Sequence, residues 1–99
     1  MKVNINSVHF KTDRKLELFI SEKVSKLNQY FEGIIGSDVV LKVENTEAPD
    51  NKIAEIRVAI PGNDLFARKQ CKTFEEATDE AVAALKIQLR RYKDKIRGT

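Results

Sequence analysis

The residues best suited to chemistry lie near the C-terminal end of the sequence. From Lys86 onward come Lys86, Arg90, Arg91, Lys93, Lys95 and Arg97, against a single carboxylate, Asp94. Cations in such number suit a polyanion, because each Lys or Arg that neutralises a phosphate releases condensed counterions whatever the base sequence. An arginine can also grip two phosphate oxygens at once. On a helix turning about 100° per residue, Lys86, Arg90, Lys93 and Arg97 fall within an arc of roughly 60° beside an apolar stripe, and Arg91 and Lys95 lie on its other flank. Cations therefore border the buried seam on both sides. The opposite end of the same helix carries Glu75, Glu76, Asp79 and Glu80, and an acid-first, base-last order is what the helix macrodipole favours. That preference accounts for about two or three of the six cations and does not require the rest.

An earlier helical stretch adds Lys23, which falls inside the apolar arc of Leu16, Phe19, Ile20, Leu27 and Phe31. A lysine there must reach water along its stem or meet an anion. Lys26 and Tyr30 lie on the same side of that arc, towards Phe19; if this side faces the second helix, the groove between the helices gains both lysines. Tyr30 and Tyr92 have rings able to stack on bases, although aromatics at helical spacing more often belong to a core. Catalysis finds little support. His9 has no matching nucleophile motif, Cys71 reads as a small packing residue near a strand end, and the four glycines form neither a phosphate loop nor a dinucleotide fingerprint. One cysteine cannot close an internal disulfide, and with one distant histidine it offers no zinc ligand set. No cofactor, metal or small-molecule substrate is expected.

The elements that must position these cations follow from the pattern. With 99 residues, 41% of them apolar, a net charge of +3 and a mean hydropathy of −0.42, the chain is expected to form a single domain over residues 1–99 around one core. The charge is uneven, −1 over residues 1 to 50 and +4 over 51 to 99. No apolar run is long enough for a signal segment or a bilayer span, which places the protein in the cytoplasm.

Residues 2 to 8 alternate as a half-buried strand with Val3, Ile5 and Ser7 on one face. Thr12 or Asp13 caps a helix predicted over 13 to 32, with Gly33 as its stop. Residues 38 to 44 and 53 to 60 read as strands, Pro61 to Asp64 as a hairpin turn, and 65 to 72 as a charged edge strand. Thr73 with Glu76 predicts a capping box opening a long helix to about Arg97, whose stripe is Phe74, Ala77, Ala81, Val82, Leu85, Leu89, Tyr92 and Ile96. The order is β-α-β-β-β-α. Because a strand, crossover helix and parallel strand turn right-handed, this predicts an α+β fold: a four-stranded mixed sheet with two helices on one face, like a double-stranded-RNA-binding domain.

The motifs MKVNI at the start, KLNQYF at Lys26 to Phe31, VVLKVE at Val39 to Glu44 and QLRRYKDKI at Gln88 to Ile96 together resemble the short ribosome hibernation promoting factors. These belong to the family of the ribosome-associated inhibitor and the sigma-factor modulation proteins. The resemblance spans nearly the whole chain and implies the same β-α-β-β-β-α fold. It implies a protein that binds the rRNA of the small ribosomal subunit in the decoding region, lies across the mRNA and tRNA sites, and inhibits translation in starvation or stationary phase; a monomer is expected. Lys23, Lys26, Arg91, Lys93 and Lys95 match basic positions of the family, while Lys86, Arg90 and Arg97 rest on the helical wheel. Two departures stand out. Residues Arg68 to Glu76 are more charged than the family pattern, and neither the acidic tail of the ribosome-associated inhibitor nor the added domain of the long factors follows, which points to the short form.

Two other readings compete. A free double-stranded RNA-binding module has the same α-β-β-β-α portion, but it places lysines at the start of its last helix, where this chain has four carboxylates. A protein-interaction module would use the open sheet face, on which the alternation exposes Val40, Ile53 and Phe66 as a small apolar patch.

Overall fold

The computed structural model describes residues 1–97. Strand β1 (Lys2–Ser7) leads through a turn to helix α1 (Arg14–Ser25) and a 3-10 turn (Lys26–Gln29); β2 (Gly36–Val43), β3 (Lys52–Ile60) and β4 (Asn63–Cys71) follow, and helix α2 (Phe74–Arg97) closes the order. The sheet runs β1-β2-β3-β4, parallel between β1 and β2 and antiparallel elsewhere. Both helices pack on one face, α2 against β3 and β4, α1 against β1 and α2. This is the predicted α+β arrangement.

Period-two alternation builds that face in rows across the sheet. Ile5, Val39, Ile56 and Ala67 form one row, Val3, Ser37, Val58 and Leu65 another. They meet Ile20, Val24 and Leu27 from the first helical segment and Ala77, Ala81, Leu85 and Leu89 from α2 in one continuous core. At roughly 25 cal/mol for each Å² of apolar surface removed from water, this burial is the main term holding the helices on the sheet. Ser37, on the inner face, is satisfied by donating to the Arg57 carbonyl at 3.0 Å.

The termini of the elements follow their local chemistry. The Asp13 carboxylate accepts from the Leu16 N–H at 2.7 Å and caps α1. At α2 the Glu76 N–H donates to the Thr73 hydroxyl at 3.1 Å, and that hydroxyl in turn donates to the Glu76 carboxylate at 3.4 Å. The carboxylate thus takes the threonine O–H and does not reach back to a backbone donor, so the predicted box is half formed. Ile60 and Asn63 pair across Pro61 and Gly62, whose φ is 77°; only a residue without Cβ takes that conformation cheaply.

Other expectations need correction, among them the turn, which is Pro61 and Gly62 alone because Asn63 and Asp64 already pair in β4. The first α-helix ends at Ser25: Ser25 and Asn28 are weaker helix formers than the Leu, Lys and Gln around them, and the chain tightens into a 3-10 turn, with the Tyr30 N–H donating to the Leu27 carbonyl at 3.0 Å. Gly33 is not a left-handed stop: a Cβ there would lie 2.6 Å from the Phe31 ring, so its role is to admit that ring. Ile96 is exposed, since the last turn of α2 runs past the core. Ile53, expected on the open face, is buried, flanked in register by Lys42 and Gln70, whose long side chains are able to shield a neighbour with their apolar stems.

With Val40 half-buried, the expected apolar patch shrinks to Phe66. The rest of the open face carries cross-strand ion pairs, Arg57 to Asp38 at 3.8 Å and both Arg68 and Lys42 to Glu55 at 3.3 Å.

Candidate nucleic-acid interface

Helix α2 is anchored by its first four turns and free at its last. Phe74, Ala77, Thr78, Ala81, Val82, Leu85 and Leu89 are buried, Tyr92 is half-buried, and Asp94 to Arg97 are exposed. Twenty-four residues make a rod of about 36 Å, and the cations occupy its far end.

The structure brings the predicted cations together as two flanks of one helix. On the side of α1, the Lys86 Nζ lies 5.3 Å from the centroid of the Tyr30 ring, a cation–π distance. Arg90, Lys93 and Arg97 share a shallow hollow with Tyr30 and Asp94, and Lys93 also borders the segment Gln29 to Gly33. On the other side, Arg91 and Lys95 line an open groove against Gly62, Asn63 and Leu65 of the β3–β4 hairpin.

Two hydrogen bonds and one aromatic contact hold this arrangement. The Tyr92 hydroxyl donates to the Pro61 carbonyl at 3.2 Å, Gln88 Nε2 donates to the Phe66 carbonyl at 2.8 Å, and the Phe31 and Tyr92 rings meet edge to face at 5.5 Å. Sequence reasoning missed the contribution of the hairpin. Nothing in the pattern of Pro61 to Asn63 shows that this turn lies beside Arg91 and Lys95.

The electrostatics differ between the two helical segments. Among the described residues, none of Lys86, Arg90, Arg91, Lys93, Lys95 and Arg97 forms an ion pair. Lys26 is likewise unpaired and exposed at the C-terminal end of α1, where the helix carbonyls favour a cation. Lys23 is different. Its ammonium sits 3.3 Å from the Asp79 carboxylate and 5.5 Å from the Phe19 ring centroid, so it meets an anion of the protein itself.

Cys71 lies apart from this surface. Its buried Sγ donates to the Glu80 carboxylate at 3.2 Å, and burial, that hydrogen bond and the charge of Glu80 push the thiol up to about 11, so at neutral pH it holds its proton and is a poor nucleophile. The described residues include no cluster of groups able to hold a metal ion and no helix long and apolar enough to cross a membrane.

A mixed sheet with both helices on one face and a cationic end to the last helix defines a class, and the sequence places the chain in it. Residues 3–97 match the family described as sigma 54 modulation protein / S30EA ribosomal protein, and the chain belongs to that family. It is similar to the ribosome hibernation promoting factor of Salmonella typhimurium, 32% identical over 97 residues and 98% of each chain. It is likewise 32% identical to that of Escherichia coli K12 over 102 residues, again 98% of each. The fold is shared with the Protein Y N-terminal domain of Thermus thermophilus, with a TM-score of 0.80 and 22% identity over 93% of this chain and 99% of that one. A ribosomal subunit interface protein from Coxiella burnetii gives a TM-score of 0.83 at 17% identity over 94% and 98%.

Proposed function

We propose that this protein is a ribosome hibernation factor that acts by binding and performs no reaction. It sits on rRNA of the small ribosomal subunit in the decoding region, blocks the mRNA and tRNA sites, and inhibits translation in starvation or stationary phase. It works in the cytoplasm as a monomer, with residues 1–99 as one ribosome-binding domain. The observation that carries this reading is the gathering, at one end of the helical layer, of cations that form no ion pair among the described residues, which suits a folded polyanion. Relatives named as ribosome hibernation promoting factors support the same partner.

The proposed contacts are Lys26 beside α1 and Lys86, Arg90, Arg91, Lys93, Lys95 and Arg97 on the two flanks of α2. Lys23 stands at the margin, its charge shared with Asp79. A free duplex-RNA module fits less well, because Glu75, Glu76 and Glu80 are exposed at the start of α2 and would repel a phosphate backbone there.

The test is sedimentation of the purified protein with small ribosomal subunits over a range of salt concentrations. Binding should weaken steeply as salt rises and should compete with mRNA and tRNA. Replacing Lys86, Arg90, Arg91 and Lys93 together by Gln should abolish it while leaving the fold intact; unchanged sedimentation would refute the assignment.

A further inference from the structure

The two tyrosines flank the same stretch of α2 and are used differently. Tyr92 is committed to the fold through its bond to Pro61 and its edge contact with Phe31. Tyr30 remains 38% exposed, and within the described residues no hydrogen bond ties down its hydroxyl. Its backbone is nevertheless fixed, by the bond to the Leu27 carbonyl on one side and the packed Phe31 on the other. Lys86 stands over its ring. A lone exposed tyrosine needs no explanation, but this ring stands at the wall of two adjoining hollows, with cations in both.

The charges of the two hollows differ. One holds Arg90, Lys93 and Arg97 against Asp94, and the other holds Lys93 against Glu32, beside the Phe31 ring and the Gln29 amide. Phosphates belong in the first. The second, balanced in charge and partly apolar, suits an uncharged ring. We infer that Tyr30 is a stacking platform for an RNA base whose flanking phosphates are held by Arg90, Lys93 and Arg97, an inference that rests on the RNA-binding reading above. Every base has a π face, so the platform adds affinity without choosing a sequence. Unlike the cations, it adds affinity without a dependence on salt.

The experiment compares binding of a short oligoadenylate with binding of an abasic oligomer of equal phosphate number. The wild type should prefer oligoadenylate by roughly tenfold. Tyr30→Leu should abolish that preference yet keep the slope of affinity against salt, and Tyr30→Phe should restore the preference. The chain has no tryptophan, so Tyr30→Trp supplies a single tryptophan that can be excited apart from Tyr92, and its emission should be quenched by oligoadenylate and not by the abasic oligomer. This second readout holds if the leucine variant fails to fold. A wild-type preference in Tyr30→Leu, or unchanged emission at saturating oligoadenylate, overturns the platform alone. Failure of the wild type to bind either oligomer or small subunits overturns the RNA-binding reading and the platform with it.

Discussion

The Lys23 ammonium lies 3.3 Å from the Asp79 carboxylate, an ion pair that joins α1 to α2. Both side chains are partly exposed, at 36% and 52%, so the pair is screened and contributes less than about 1 kcal/mol to stability. Lys23→Met should therefore melt near the wild type and bind small subunits almost as well. Asp79→Asn frees the ammonium and should raise RNA affinity and steepen its salt dependence. Binding isotherms at several salt concentrations decide the matter; a Lys23→Met protein as impaired as Lys93→Gln would show that Asp79 does not sequester the lysine.

The two flanks of α2 should act independently. Removing Lys86, Arg90 and Lys93 together, or Arg91 and Lys95 together, should lower the slope of log affinity against log salt by about one for each phosphate left without its cation. Because the flanks face different elements, the two effects should add in the combined variant. Loss of binding that is complete from either flank alone would instead mean that both grip the same stretch of RNA as one unit.

Gly62 holds a φ of 77° with nothing within 4 Å of a Cβ built on it. Any loss in Gly62→Ala is therefore backbone strain and not a clash, and it should amount to about 1–2 kcal/mol in urea denaturation. Gly62→Asn should lose less, since Asn tolerates the left-handed region. Equal losses for Ala and Asn would contradict this account of the turn.

Cys71 makes stability depend on alkaline pH. Its thiol is raised from 9.0 to about 11 in the folded protein, so between those values the unfolded chain loses a proton that the native state keeps. The unfolded state then binds fewer protons, and stability falls as pH rises. The contribution is fully present below pH 9 and disappears toward pH 11, at up to about 1.4 kcal/mol for each pH unit crossed. Denaturation at pH 8, 9 and 10 should show the decline, and Cys71→Ala should flatten it.

Much of the fold could be read from period alone. Alternation in Val39, Leu41, Ala54, Ile56 and Val58 placed the central strands, and the charges of Arg68, Lys69 and Lys72 marked β4 as an edge. The end of α1 was not legible, because Leu27 continues the helical spacing and is fully buried although the backbone has already tightened into a 3-10 turn. Ile96 misled for the complementary reason. Its position on the wheel is right, but the periodicity says nothing about where the core beneath it stops.

At the candidate site, the wheel recovered the cations and their two flanks. It could not recover Asp79 as the partner of Lys23, nor the hairpin beside Arg91, since both depend on how distant segments meet.

The polarity of α2 bears on the approach to a partner as well as on the bound state. Its exposed carboxylates Glu75, Glu76 and Glu80 and its far cations lie about 25 Å apart along the rod, so the field of a polyanion exerts a torque on the molecule before the two touch. On the proposed function, the protein arrives cationic end first. Neutralising those carboxylates would increase the overall pull toward RNA while weakening this alignment, giving more collisions of which a smaller share are productive.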